Sequence, residues 1–321
     1  MKLTRKYGDR YDGYRVKNVD GPFLLIPYIM KDRVDSQVYF EDDIEITAIE
    51  NFIREHQEEM PGLSLYHVVI AAVLRTISQR PYLNRFVVNS KIYARNHFCL
   101  SMMIKKGLTV AGGETLVKPE LPLDGTLADV VSIFKKIVDE NKVVENSNDT
   151  DDTINIIGKL PHWLCRFVVN TLMFMDRHNC MPKFINKVSP FHTGFFITNI
   201  GSIGIEPIYH HIYEFGTTSI FLAIGKKRTM VVTDSEGNII KKRFMGIKIV
   251  GDERICDGHY YAESARLLYK YLKRPEKLLV PPEKIYVDNG INKLDKRYLI
   301  DENTGKKTKQ KLLESGKYAI H

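Results

Sequence analysis

Residues 252–279 read DERICDGHYYAESARLLYKYLKRPEKLL. Tyr261, Ala265, Leu268 and Leu272 recur at helical spacing, so a helix is expected from Gly258 to Arg274, opening just after Asp257-Gly258 and stopped by Pro275. The residues before it, Ile239 to Val250, are strand-like, so the charged turn Asp252-Glu253-Arg254 joins a strand end to a helix start. A short polar turn at that junction can present a side chain for chemistry on a rigid base.

Working outward, three strand-like runs precede this segment. They are Gly194 to Ile200, Thr217 to Gly225, and Met230 with a return strand at Ile239 to Val250, turned by Ser235-Glu236-Gly237-Asn238. Further upstream Val38, Phe40, Ile44 and Ile46 fall on alternate positions, interrupted by Asp42, as in a half-buried strand. Thr47 with Glu50 is spaced as a capping box for a helix carrying Ile49, Phe52, Ile53 and His56, which Pro61-Gly62 closes. Ser64 caps a second helix with a wide apolar band that Pro81 ends. Two strand-like runs flank Asn89-Ser90, the second at His97 to Ile104 and closed by Gly107, and Thr126 opens a third helix. Asn146 to Asp152 is polar and acidic and is expected to be a loop. Leu160 to Met175 is an apolar helix, but with Arg166 and Asn170 in it and too short for a bilayer it is expected to be buried or to face a partner.

These elements predict one α/β sandwich domain at 26–281, preceded by an extension at 1–25 and followed by a lysine-rich, loosely packed tail at 282–321. With 44% apolar residues in 321, the chain can bury a large core. Lys plus Arg number 47 against 39 for Asp plus Glu, and the resulting charge of +8 suits a polyanion without choosing among nucleotide, nucleic acid and anionic lipid. Cys99, Cys165, Cys180 and Cys256 are far apart, which predicts neither a zinc site nor a disulfide framework. The opening MKLTRKYGDRYDGYRVK has no apolar signal core, and a cytoplasmic location is expected. The glycines at Gly112 to Glu114 and Ile200 to Gly204 lack phosphate-loop spacing and are explained by turns.

Four stretches, in order, resemble the catalytic domain shared by dihydrolipoamide acyltransferases and chloramphenicol acetyltransferase. They are IPYIMKDRVDSQVYFEDDIEITAIENF at 26–52, LSLYHVVIAAVLRTISQRPYLNRF at 63–86 with its Pro81, Leu83 and Asn84, FFITNIGSIG at 195–204, and the segment at 252–279. The resemblance runs from about Ile26 to Leu279 and implies a two-layer α/β sandwich with a mixed sheet that trimerises, placing its active site between subunits. In that family a histidine takes the proton of a thiol, and a hydroxyl steadies the oxyanion of the tetrahedral intermediate. The hydroxyl position corresponds to Thr198, and the family's loop-shaping aspartate to Asp257. Asn199 and His210 are the expected substrate contacts.

Glu253 stands where the family has its histidine. A thiol titrates near ~8.5 and an ordinary Glu near ~4.3, so the proton transfer would run uphill by about 6 kcal/mol unless the carboxylate were perturbed. His211 is the candidate substitute base, in GIEPIYHHIYEFG, a stretch resembling the acceptor pocket of the antibiotic-acetylating branch; packing at a subunit contact competes with that role. His259 is expected to face solvent at its helix start, Cys256 to be a buried structural thiol, and no metal to be bound.

Three functions follow. The first is acyl transfer from a thioester, a small-molecule or carrier-bound acyl substrate with coenzyme A or acyl-CoA expected, to an unknown acceptor other than a tethered lipoyl arm, with no attached lipoyl group because too few residues precede the matching region to hold a lipoyl domain. The second is a catalytically inactive trimeric scaffold or CoA/acyl-binding module. Nucleic-acid or membrane association through the basic tail or the helix at 160–175 ranks last.

Overall fold

The computed structural model describes residues 2–105, 114–141 and 158–321; the expected turn at Gly107, the Gly112-Gly113 pair and the loop at Asn146 to Asp152 lie outside them. A six-stranded sheet organises the chain, in the order β3 (Gln37–Glu45), β10 (Ile239–Asp252), β9 (Ile220–Thr233), β8 (Phe195–Asn199), β6 (Leu100–Lys105) and β7 (Glu114–Val117). It is mixed. β8 runs parallel to both β6 and β9, and the other neighbours are antiparallel.

Four helices cover one face: α2 (Thr47–Glu55), α3 (Leu65–Gln79), α4 (Leu127–Asn141) and α7 (Gly258–Lys273), the seventh in chain order among the described residues. α3 is the central one, buried from Val68 to Ser78, because a band that is apolar nearly all round must be enclosed by sheet and neighbouring helices. The core merges Ile70, Val73 and Ile77 of α3 with Phe195, Ile197, Ile220 and Leu222 of the sheet. Phe196, Phe221 and Val250 face the other way and pack with Ile212 on the opposite side, as the two-residue period of strands requires.

Several local expectations hold in detail. Thr126 and Asp129 form a reciprocal cap for α4, with Thr126 N–H donating to Asp129 Oδ2 at 2.8 Å and Asp129 N–H to Thr126 Oγ1 at 3.3 Å. Asn89 and Ser90 turn a hairpin between β4 (Arg85–Val88) and β5 (Lys91–Arg95), both with positive φ, the backbone a two-residue turn of this hand demands. The partner strand differs from the expected one. β5 is the return strand, and the apolar run at 97–104 crosses to the large sheet as β6.

Other expectations are corrected. Thr47 and Glu50 form no capping box: Ile46 precedes α2 without a side-chain cap, and Glu50 pairs with Lys227 at 2.9 Å. The boundaries at 25 and 281 do not delimit loose ends either. β1 (Lys2–Leu3) pairs with β12 (Tyr298–Ile300), β2 (Gly13–Arg15) adds to β5, and β11 (Ile285–Val287) runs parallel to β14 (Tyr318–Ile320), while β13 (Lys307–Lys311) pairs with β12. The reason is a buried charge pair invisible to a composition count: Arg297, fully enclosed, donates to Asp9 at 2.7 and 3.2 Å, clamping the two ends of the chain together. Leu312, Val287 and Ile285 are buried beside it, so the basic residues of this region form a solvated rim on a packed unit.

The remaining helices are α1 (Gly21–Ile29), α5 (His162–Arg177) and α6 (Lys183–Val188). α5 is anchored near its C-terminal end, where Asp176 accepts from Arg10 at 2.6 Å, and it exposes Trp163, Phe167 and Phe174. Among the described residues no helix is long and apolar enough to cross a membrane.

Candidate functional site

Thr198 sits near the C-terminal end of β8, half-buried, in register with Ala223 of β9. The chain can turn immediately after it because of two glycines. A Cβ on Gly201 would lie 2.2 Å from the Gly225 carbonyl oxygen, and one on Gly225 would lie 2.2 Å from Pro207 Cδ, so both positions exclude any larger residue. That stacking of turn, strand and Pro207 fixes the end of β8 and, with it, the Thr198 hydroxyl. Asn199 is exposed, and its carbonyl accepts from Ser202 Oγ at 2.7 Å.

His210 lies on the same face of the sheet. Its ring stacks on Phe221, with centroids 4.3 Å apart and planes 12° apart, and Phe221 and Ala223 point the same way as Phe196 and Thr198 by strand alternation. Burial, and then the neighbouring His211, push the His210 imidazole below its usual range, and its Nε2 is enclosed without a hydrogen-bond partner among the described residues. His211 is exposed. Of the paired histidines, the fold therefore brings His210 to the Thr198 face and leaves His211 outward.

The Glu253 turn is held from both sides. Asp252, fully buried, accepts from Arg254 Nε and Nη2 at 2.8 Å each, and Arg254 Nη1 donates to the carbonyls of Met30 and Lys31 at 3.1 and 3.0 Å. The Glu253 N–H donates to Ser36 O at 2.8 Å, and Tyr261 Oη donates to Asp252 O at 2.9 Å. Glu253 is thus a half-exposed carboxylate on a rigid backbone. Asp257 is exposed and caps α7, its Oδ1 accepting from the Tyr260 N–H at 2.7 Å; the ion pair of this loop is Asp252–Arg254. Cys256 is buried, and burial pushes its thiol well above the usual range, which removes its nucleophilicity at neutral pH. His259 is exposed.

The structure does not bring Glu253 to Thr198 within one chain. Asp252 N–H donates to Ser219 O, whereas Thr198 is in register with Ala223. Four residue steps along β9 separate the two levels, about 13 Å, and β8 and β10 lie on opposite sides of β9.

Sequence reasoning missed Arg33. It is buried and donates to the carbonyls of Glu214 at 2.9 Å and Val87 at 2.9 Å, and with Lys31, Arg177, Arg254, Asp176 and Glu214 it helps line a polar cavity of about 330 Å³ beside the Glu253 turn. Only its place in the matching stretch at 26–52 could have flagged it. Among the described residues no group of three or more His, Cys, Asp and Glu side chains gathers to hold a metal ion, and the four cysteines are unpaired.

Residues 191–280 match the family of 2-oxoacid dehydrogenases acyltransferase (catalytic domain). Thr198, His210, His211, Glu253 and Asp257 all fall inside that stretch. A probable dihydrolipoamide acetyltransferase from Listeria monocytogenes 4b F2365 shares the fold, with 12% identity, a TM-score of 0.51, and coverage of 85% of this chain and 97% of that one. A chloramphenicol acetyltransferase aligns at 11% identity over 82% of this chain and 96% of its own, with a TM-score of 0.48. A truncated catalytic core of the 2-oxoacid dehydrogenase multienzyme complex from Thermoplasma acidophilum aligns at 15% identity over 81% of this chain and 98% of its own, with a TM-score of 0.46. No curated protein matches. The expected fold, a two-layer α/β sandwich with a mixed sheet resembling the acyltransferase catalytic domain, is the one observed.

Proposed function

We propose that this protein transfers an acyl group from a thioester, acyl-CoA, to a small-molecule or carrier-bound acceptor. The observation that carries the proposal is the match of residues 191–280 to an acyltransferase catalytic domain, with Thr198 at its strand end and Glu253 in its strand-to-helix turn. Thr198 Oγ1–H donates to the oxyanion of the tetrahedral intermediate. Glu253 accepts the acceptor's proton as the acceptor bonds to the acyl carbon, and returns it to the CoA sulfur as the C–S bond breaks; Asp257 keeps the turn in place as the cap of α7. The cationic groups beside the turn, Lys31, Arg33 and Arg177, suit the phosphates of a CoA donor.

The separation of Glu253 from Thr198 along β9 supports a homotrimer, because two copies can combine one copy's Thr198 with another's Glu253 where a single copy cannot. Complementation tests this. Thr198→Ala and Glu253→Ala variants, each inactive toward acyl-CoA alone, should regain about a quarter of wild-type activity when co-refolded at equal amounts, by random pairing across the shared interface. No recovery from the mixture refutes the shared site. A second reading, an inactive scaffold or CoA-binding module, is favoured by the carboxylate at 253; it predicts CoA binding by calorimetry with no turnover in the wild type and no effect of Glu253→Ala.

A further inference from the structure

The face of the sheet opposite Thr198 holds a second cavity, about 390 Å³ in volume, roofed by α3 and α7. Its floor crosses four adjacent strands, from Phe40 of β3 through Ile249 of β10 and Leu222 of β9 to Phe195 of β8. Three strand spacings make that floor about 14 Å long. A volume of about 390 Å³ with a floor of that length accommodates an extended alkyl chain.

The polar atoms of its walls are already satisfied by backbone. Tyr261 Oη donates to Asp252 O at 2.9 Å, Thr76 Oγ1 to Ala72 O at 2.7 Å, and Ser264 Oγ to Tyr260 O at 2.7 Å. What faces the interior is therefore hydrocarbon, a surface on which water has no bonds to make. An apolar cavity of about 150 Å³ is already large enough to take up a benzene-sized guest. The roof is shaped for a guest too, since α7 presents Ala262, Ser264 and Ala265 where bulkier residues would fill the space.

The mouth supplies the rest of the specificity. Tyr269 stands there; Tyr39 and Glu41, in register with Val250 and Lys248, turn their side chains to the Thr198 face, where they meet Tyr209. Burial, and then the charge of Asp42 and its hydrogen bond to the phenol, raise the Tyr269 hydroxyl above its usual range, so it is a neutral group beside a carboxylate. Asp42, beside Tyr269, repels an anionic head group.

We propose that this cavity binds the tail of a single-chain alkyl or acyl lipid with an uncharged head group, the tail lying across the sheet under α7 and the head at Tyr269. The site lies on the other side of the sheet from Thr198 and does not rest on the acyl-transfer reading. Tyr261 is both a wall of the cavity and the donor to Asp252 O, so its occupant leans on the turn that carries Glu253.

The test is calorimetric titration of the full-length protein with 1-decanol and with decanoate. One decanol per chain is expected, bound at least tenfold more tightly than decanoate. Ala265→Phe, which fills the cavity from the roof, should weaken decanol at least tenfold while far-UV circular dichroism and the thermal midpoint without decanol stay unchanged or rise. Leu268→Trp closes the same space and takes its place if Ala265→Phe does not fold. Absence of saturable decanol binding, equal affinity for decanoate, or undiminished decanol binding by a folded, filled variant each overturns the proposal. Because the readout is binding, its failure leaves acyl-CoA turnover untouched, and loss of turnover leaves it untouched in return.

Discussion

Asp252→Ala is the most informative single change in the Glu253 turn. In the native protein Asp252 neutralises Arg254 through two bonds of 2.8 Å, and both side chains are essentially withdrawn from water. The alanine variant leaves Arg254 with only the carbonyls of Met30 and Lys31. Removing one partner of a buried pair costs about 3–5 kcal/mol, because the surviving charge stays desolvated. A chain with ~5–15 kcal/mol of stability loses a large share of it at once. Glu253→Gln, one residue along, alters no buried contact and should change stability by less than about 0.5 kcal/mol. Urea denaturation measures both. The double variant Asp252→Ala/Arg254→Met adds a control: with the lone charge gone, it should be more stable than Asp252→Ala alone. If Asp252→Ala costs under about 1 kcal/mol, or if the double variant is no better, the turn is not held by this pair and the rigidity assigned to Glu253 is wrong.

Three further outcomes follow from the packing. Gly201→Ala forces a methyl group onto the Gly225 carbonyl, 2.2 Å from the built position, and should cost about 2–3 kcal/mol by thermal or urea unfolding while shifting Thr198 and lowering turnover. Truncation after Pro281 removes Arg297 and Leu312 and leaves Asp9 buried without its cation; the shortened chain should aggregate or lose its cooperative transition in calorimetry, whereas a solvated tail would come off without consequence. Asp12 supplies a pH test: burial by itself would raise its carboxyl, but the charge and hydrogen bonds of Arg10 hold it below the usual range. A depressed carboxyl contributes stability that is complete above its unfolded value, near ~3.9, and lost as pH falls through the folded one, so Asp12→Asn should flatten the acid limb of a stability-versus-pH curve and not its neutral part.

How much the sequence discloses depends on how local each cause is. The Asn89-Ser90 turn, the Thr126-Asp129 cap and the α7 stripe of Tyr261, Leu268 and Leu272 are settled by neighbours within a few residues, and each is legible. Glu50 was not legible, because the cations that claim it, Lys227 and Arg243, come from a hairpin almost two hundred residues away. The same holds for the C-terminal region, whose lysines read as a tail until Arg297 meets Asp9. In the candidate site, the order of matching stretches put forward Thr198, Glu253 and Asp257 as candidates. It put His211 forward as the base and His210 as a substrate contact, whereas the stacking on Phe221, which no local pattern discloses, brings His210 to the Thr198 face and leaves His211 exposed.

That contact bears on which group handles the proton. In the proposed shared site Glu253 comes from another copy, whereas His210 shares Thr198's own face of the sheet. A general base works in its unprotonated form, and burial holds the His210 imidazole below its usual value near ~6.5, so it is available throughout the neutral range. If His210 were the base, turnover of acyl-CoA would hold through the neutral range and fall only at a pH below the usual histidine value, and the fall would vanish with the activity in His210→Ala. The Glu253 assignment predicts the reverse: a profile with the same acid limb in wild type and His210→Ala, and a rate abolished by Glu253→Ala. The two outcomes are exclusive for a single proton transfer, and steady-state kinetics on three proteins decides between them.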